Sequence, residues 1–147
     1  MRGGWISRGA RAWLAVLAAT LLAGCGASPI TADRLERAIA PTFANLMHTQ
    51  VSWLGLPPVA ASSFEAGATC RKAVGGSTGS GEWICTLRWT TPERQQLREL
   101  YDLYVTPDGC YAATVEGESL GSPTITAPDG RRVRNLLYAF EGCFDKG

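Results

Sequence analysis

Histidine is nearly missing from this chain, with His48 the one example in 147 residues. Catalysis built on histidine would have to rest on that residue alone, and no catalytic partner lies near it in sequence. There is no Cys-x-x-Cys spacing, which argues against a structural zinc site. The one glycine-rich stretch has no Lys-Ser/Thr pair after it, so a phosphate cradle is not expected. Neither sign of charge predominates: 14 basic residues stand against 13 acidic ones. Arg131, Arg132 and Arg134 form the one basic cluster and read as the solvated side of a hairpin, so nucleic acid is not an expected partner. Also missing is an apolar run of about 20 residues, the length a bilayer crossing takes. No catalytic residue, metal or cofactor can be named from these residue types.

What is present begins with three zones. Arg2, Arg8 and Arg11 give a positive start without an acidic residue. Trp13 to Leu22 is apolar apart from Thr20, and the small residues Ala23 and Gly24 stand directly before Cys25. This is the layout of a secretory signal, and the arginines favour keeping the start in the cytoplasm. Leu22-Ala23-Gly24-Cys25 resembles the lipobox of bacterial lipoproteins. The resemblance covers about the first 25 residues. It implies a diacylglyceryl group on the Cys25 thiol, cleavage between Gly24 and Cys25, and a protein held by its lipid on the extracytoplasmic face of a bacterial membrane. On that reading residues 1–24 are signal, 25–30 are a lipidated tether, and 31–147 are one domain. The mature chain keeps 11 basic and 13 acidic residues, a net charge of −2.

Cys70, Cys85, Cys110 and Cys143 then remain. An even number in an exported domain of this size reads as two disulfides, and four cysteines allow three pairings. If the loop Gly75-Gly76-Ser77-Thr78-Gly79-Ser80-Gly81 closes a hairpin, a register with Cys70 opposite Cys85 is within reach. Cys110 is then left with Cys143.

Thr31 is placed as a helix N-cap with Asp33 in the first turn. Leu35, Ile39, Phe43, Leu46, Met47 and Leu54 recur at helical spacing and form one apolar face. Asn45, His48 and Ser52 lie on the polar side. Pro41 has no N–H for the Arg37 carbonyl and predicts a kink or restart. Gly55 and Pro57-Pro58 end the helix. Residues 59–66 read as an indistinct connection, a first strand is expected over 69–74, and the glycine stretch as a flexible tip.

Trp83, Cys85, Leu87 and Trp89 alternate with polar positions, the pattern of a strand buried on one face. Residues 91–96 read as a turn. From Tyr101 the alternation resumes and meets Pro107-Asp108-Gly109, which closes a three-residue hairpin loop. Counting from Thr106 opposite Cys110 puts Val105 against Tyr111, Leu103 against Ala113 and Tyr101 against Val115. The same turn recipe at Pro128-Asp129-Gly130 pairs Ile125 with Val133 and Thr124 with Arg134. The apolar tail with Leu137, Phe140 and Phe144 must pack, and Cys143 clamps it.

The fold class expected is α+β: one N-terminal amphipathic helix packed on an antiparallel sheet of four or more strands, held by two disulfides. The order of elements is similar to cystatin-like folds in topology alone, which supplies no function. A binding or interaction module at the cell envelope, with an envelope protein as partner, is the expected role rather than an enzyme. The loop 75–81, the hairpin around Arg131 and Arg132, and Tyr104 are its candidate contacts. A carrier of a small apolar ligand between helix and sheet is the alternative. A hydrolase of an envelope polymer ranks below it, and would need a sheet to gather carboxylates such as Glu99, Asp102 and Glu116. Cys25→Ser should leave the precursor uncut and unlipidated, read from the mass of the membrane-bound form; maturation at the same position would overturn the lipobox reading.

Overall fold

The computed structural model describes residues 29–144. Helix α1 (Ala32–Trp53) opens where Thr31 Oγ1 accepts the Arg34 N–H at 3.3 Å, and Asp33 in its first turn pairs with Arg37. Leu35, Ile39, Phe43 and Met47 are buried along one side. The helix does not restart at Pro41, which lies within a single 22-residue span. One missing N–H removes one bond, and Pro41 is exposed, so water can serve the orphaned carbonyl. The helix is the first element of the described residues and begins 31 residues from the N-terminus, and Gly55 beyond its end takes φ +70°.

Residues 59–66 are better defined than their composition suggests. A 3-10 turn at Ala61–Phe64 buries Phe64 against the core, and His48 Nδ1 lies 2.7 Å from the Val59 carbonyl oxygen. Strand β1 (Gly67–Lys72) starts and ends two residues earlier than its apolar pattern indicated. Val74 is instead 73% exposed, beyond the last β1 pair at Lys72 and Trp83. Strands β2 (Gly81–Thr90), β3 (Gln96–Val105) and β4 (Cys110–Val115) follow as a meander. The short strands β5 (Thr124–Thr126) and β6 (Arg132–Arg134) form a separate ribbon, and β7 (Ala139–Cys143) returns beside β4. The main sheet is antiparallel throughout, in the order β1-β2-β3-β4-β7.

The counted registers hold. Val105 pairs with Tyr111, Leu103 with Ala113, Tyr101 with Val115, Ile125 with Val133 and Thr124 with Arg134. Both disulfides form as expected, Cys70–Cys85 between β1 and β2 and Cys110–Cys143 between β4 and β7. With sequence separations of 15 and 33, loop-closure entropy assigns them about 3 and 4 kcal/mol. Strand β3 is longer than its alternation indicated, because β2 offers backbone partners as far as Thr90.

Helix α1 covers one face of the sheet. The Phe43 ring sits at the centre, with centroid distances of 5.1 Å to Trp89, 6.0 Å to Tyr101 and 6.1 Å to Phe140. Tyr101 donates its hydroxyl to the Leu137 carbonyl at 2.6 Å. Gln50 accepts the Leu136 N–H at 2.6 Å, and Arg131 reaches the Trp53 carbonyl at 3.4 Å, which binds the later loops to the helix end. At the edge of β1, Glu36 of the helix accepts the outward Cys70 N–H at 2.8 Å, so part of that edge is already paired.

Two measurements test this packing. A Cβ at Gly142 would collide with the Tyr111 ring, whereas one at Gly67 meets nothing. Gly142→Ala should therefore cost about 1–3 kcal/mol in urea unfolding, and Gly67→Ala less than about 0.5 kcal/mol. Burial, with Glu99 adding to it, holds the Tyr101 phenol above its ordinary range. The unfolded chain ionises at about pH 10, below the folded protein, so this contribution is complete under that pH and is lost as the pH rises further. Tyr101→Phe should cost about 1 kcal/mol at neutral pH for the lost hydrogen bond. Its deficit relative to the parent should narrow above about pH 10, measured as unfolding free energy against pH.

Candidate functional site

The sheet has one face under the helix and one open. Strand parity assigns the residues: Tyr101, Leu103 and Val105 point to the helix, and Leu100, Asp102 and Tyr104 point away. The cross-strand registers then build rungs on the open face. Glu82, Tyr104, Ala112 and Glu141 form one rung across β2, β3, β4 and β7. Arg71, Ile84, Asp102 and Thr114 form the next across β1 to β4. These rungs line a shallow depression of about 560 Å³ with Tyr104 on its floor. Ala112 is too small to cover the neighbouring ring, and Tyr104 stays 59% exposed. The depression therefore offers the Tyr104 ring beside the carboxylates of Glu82 and Asp102.

The same parity separates the carboxylates considered for hydrolysis. Glu99 stands opposite Leu87 on the helix side, Asp102 stands opposite Ile84 on the open side, and Glu116 lies past the end of β4. His48 is exposed on the helix, away from all three. Among the described residues no three His, Cys, Asp or Glu side chains gather to hold a metal ion. The space between helix and sheet, where an apolar ligand would sit, is occupied by Phe43, Trp89, Tyr101 and Phe140.

Gly24 and Cys25 lie outside the described residues. Ile30, close behind them, is buried, and its carbonyl accepts the Gly79 N–H at 2.8 Å; Thr31 forms a β-bridge with Thr78. The second half of the glycine loop is thus bound to the segment that leads into α1, with Trp83 Nε1 donating to the Gly79 carbonyl at 3.0 Å. Composition alone suggested a flexible tip, but these backbone bonds are invisible in composition. Gly75 and Gly76 take φ +66° and +73°, and a Cβ at either would meet nothing. Arg131 is occupied by Asp129 and the Trp53 carbonyl, which makes the β5-β6 hairpin a structural brace. Beside the Asp129 carboxyl, the Arg131 guanidinium holds it below the usual carboxylate range. Reading the residues singly missed the depression, because its rungs need the β2-β3 and β4-β7 registers together.

Comparison with protein-family models, with curated proteins and with solved structures finds no match.

Proposed function

We propose that this chain is a lipid-anchored binding module of the bacterial cell envelope, attached through Cys25 to the extracytoplasmic face of a membrane and engaging a protein partner with the open face of its sheet. The observation that carries this reading is Tyr104, 59% exposed on the floor of a depression that none of the described residues covers. An aromatic face flanked by Glu82 and Asp102 suits a partner segment that lays a basic side chain over the ring.

Two disulfides fit an oxidising compartment outside the cytoplasm. Three residues separate Cys25 from Pro29, so an anchor at Cys25 can stand at most about 14 Å from the domain. The clamp between Ile30 and Gly79 then turns the glycine-loop end of the sheet toward the membrane. Strands β2 and β3 carry the open face outward from that end. Phe43 and its aromatic neighbours fill the space a carrier would need for its ligand, which ranks the carrier below the module. The separation of Glu99 from Asp102 by strand parity does the same for a hydrolase.

Mild detergent extraction from the native membrane followed by native mass spectrometry tests both parts. The expected species carries a diacylglyceryl mass on Cys25, two disulfides and a bound protein. Tyr104→Ala should release that protein while shifting unfolding by less than about 0.5 kcal/mol, since the side chain is exposed. Retention of the partner by Tyr104→Ala would move the interface elsewhere, and absence of lipid would remove the anchor.

A further inference from the structure

We infer that Arg88 and Arg98 form a binding site for an oxyanion, a phosphate or carboxylate group, at the end of the open face farthest from Ile30. The two arginines are direct cross-strand partners in the β2-β3 register. Both are exposed, and with Leu100 and Thr86 in the neighbouring rung they share the face that carries Tyr104. Like charges placed directly opposite one another oppose strand pairing. The rung is completed on β1 by Gly67, so no side chain stands beside Arg88 on that strand.

Among the described residues no carboxylate forms an ion pair with either arginine. Neither arginine belongs to the ion pairs that join Arg37 to Asp33, Arg94 to Glu65, and Arg131 to Asp129. Arg88 and Arg98 line a second depression, distinct from that of Tyr104 and also about 560 Å³; Glu65 lines it too, but its carboxylate accepts the Thr90 hydroxyl at 3.1 Å and faces Arg94 at 4.0 Å. Glu116 stands diagonally from Arg98 and makes no ion pair with it. Arg88 Nη2 donates to Thr69 Oγ1 at 3.2 Å, which steadies one guanidinium and leaves its other N–H groups for a ligand. Two planar guanidinium groups on adjacent strands suit a tetrahedral or planar oxyanion held between them by charge-assisted bonds. Such a ligand turns a repulsive rung into a bridged one.

The source of the anion follows from position. Arg88 lies seven residues along β2 from Gly81, about 23 Å from the glycine-loop end. On the anchored reading that end faces the membrane, so the rung points away from lipid headgroups and toward a soluble or polymer-borne anion. The site itself rests on the strand register and stands whether or not Cys25 is lipidated.

Thermal unfolding of the full purified chain in detergent, in sodium phosphate and in sodium chloride of matched pH and ionic strength, tests the site. Phosphate should raise the melting temperature of the parent in a saturable way. Arg98→Gln and Arg88→Gln should each weaken the apparent phosphate affinity at least about tenfold, the loss of one charge-assisted partner. Arg98→Glu should melt higher than the parent in chloride, because an ion pair replaces the repulsion, and should not respond to phosphate. An unchanged phosphate response in both glutamine variants would overturn the site. In reconstituted vesicles the response should persist in both phosphatidylcholine and phosphatidylglycerol. Its loss in phosphatidylglycerol alone would overturn the outward assignment, because the lipid headgroup would then fill the rung.

Discussion

The domain depends on one ring. Phe43 projects from the middle of the helix into contact with Trp89 of β2, Tyr101 of β3 and Phe140 of β7. Strands β2 and β3 follow one another in sequence, whereas β7 is a distant, short strand at the edge of the sheet. Burying their aromatic side chains around a single helical residue gives the tail a reason to return to β4. The Cys110–Cys143 disulfide then holds it there. With one helix and one sheet, that arrangement satisfies one face of the sheet and leaves the other to water.

The open face is accordingly where the chemistry collects. Strand parity sends Tyr104, Asp102 and Glu82 to the end near the glycine loop, and Arg88 with Arg98 to the end near the β2-β3 turn. The face therefore has two different ends: Tyr104 with Glu82 and Asp102, and Arg71 on the β1 side, at one, and the Arg88–Arg98 pair, with Glu116 diagonal to it, at the other. A charge distribution of that kind gives a bound partner a direction as well as a position. The near-zero total charge of the chain conceals it, because opposite signs cancel in a sum and separate in space.

Much of the architecture was legible in the residues, and for identifiable reasons. Pro107-Asp108-Gly109 sets both loop length and turn geometry, so the β3-β4 register follows by counting, and the alternation of Tyr101, Leu103 and Val105 agrees with it. Four cysteines in a domain of this size need partners, and the hairpin around the glycine loop selects Cys85 for Cys70. Less was legible where backbone bonding rather than side-chain pattern decides. Residues 96–100 carry no buried alternation, yet they extend β3 because β2 supplies partners along its length. Phe64 alone in a polar stretch gives no period, so the 3-10 turn that buries it had no signal. The Gly79 N–H is bound by Ile30, far away in sequence, and glycine-rich composition is silent about that.

The amino-acid sequence by itself determined the helix, the β3-β4 and β5-β6 registers and the α+β class, and it made the disulfide pairing depend on the first hairpin's register. Each of these follows from turn chemistry, periodicity or cysteine number within a few tens of residues. Only the tertiary structure decided which rungs the open face carries, that Glu99 and Asp102 lie on opposite faces, and that Arg88 and Arg98 stand opposite each other outside any of the ion pairs described. Those facts belong to the registers of several strands at once. A one-residue change in any register would carry every side chain on that strand to the other face.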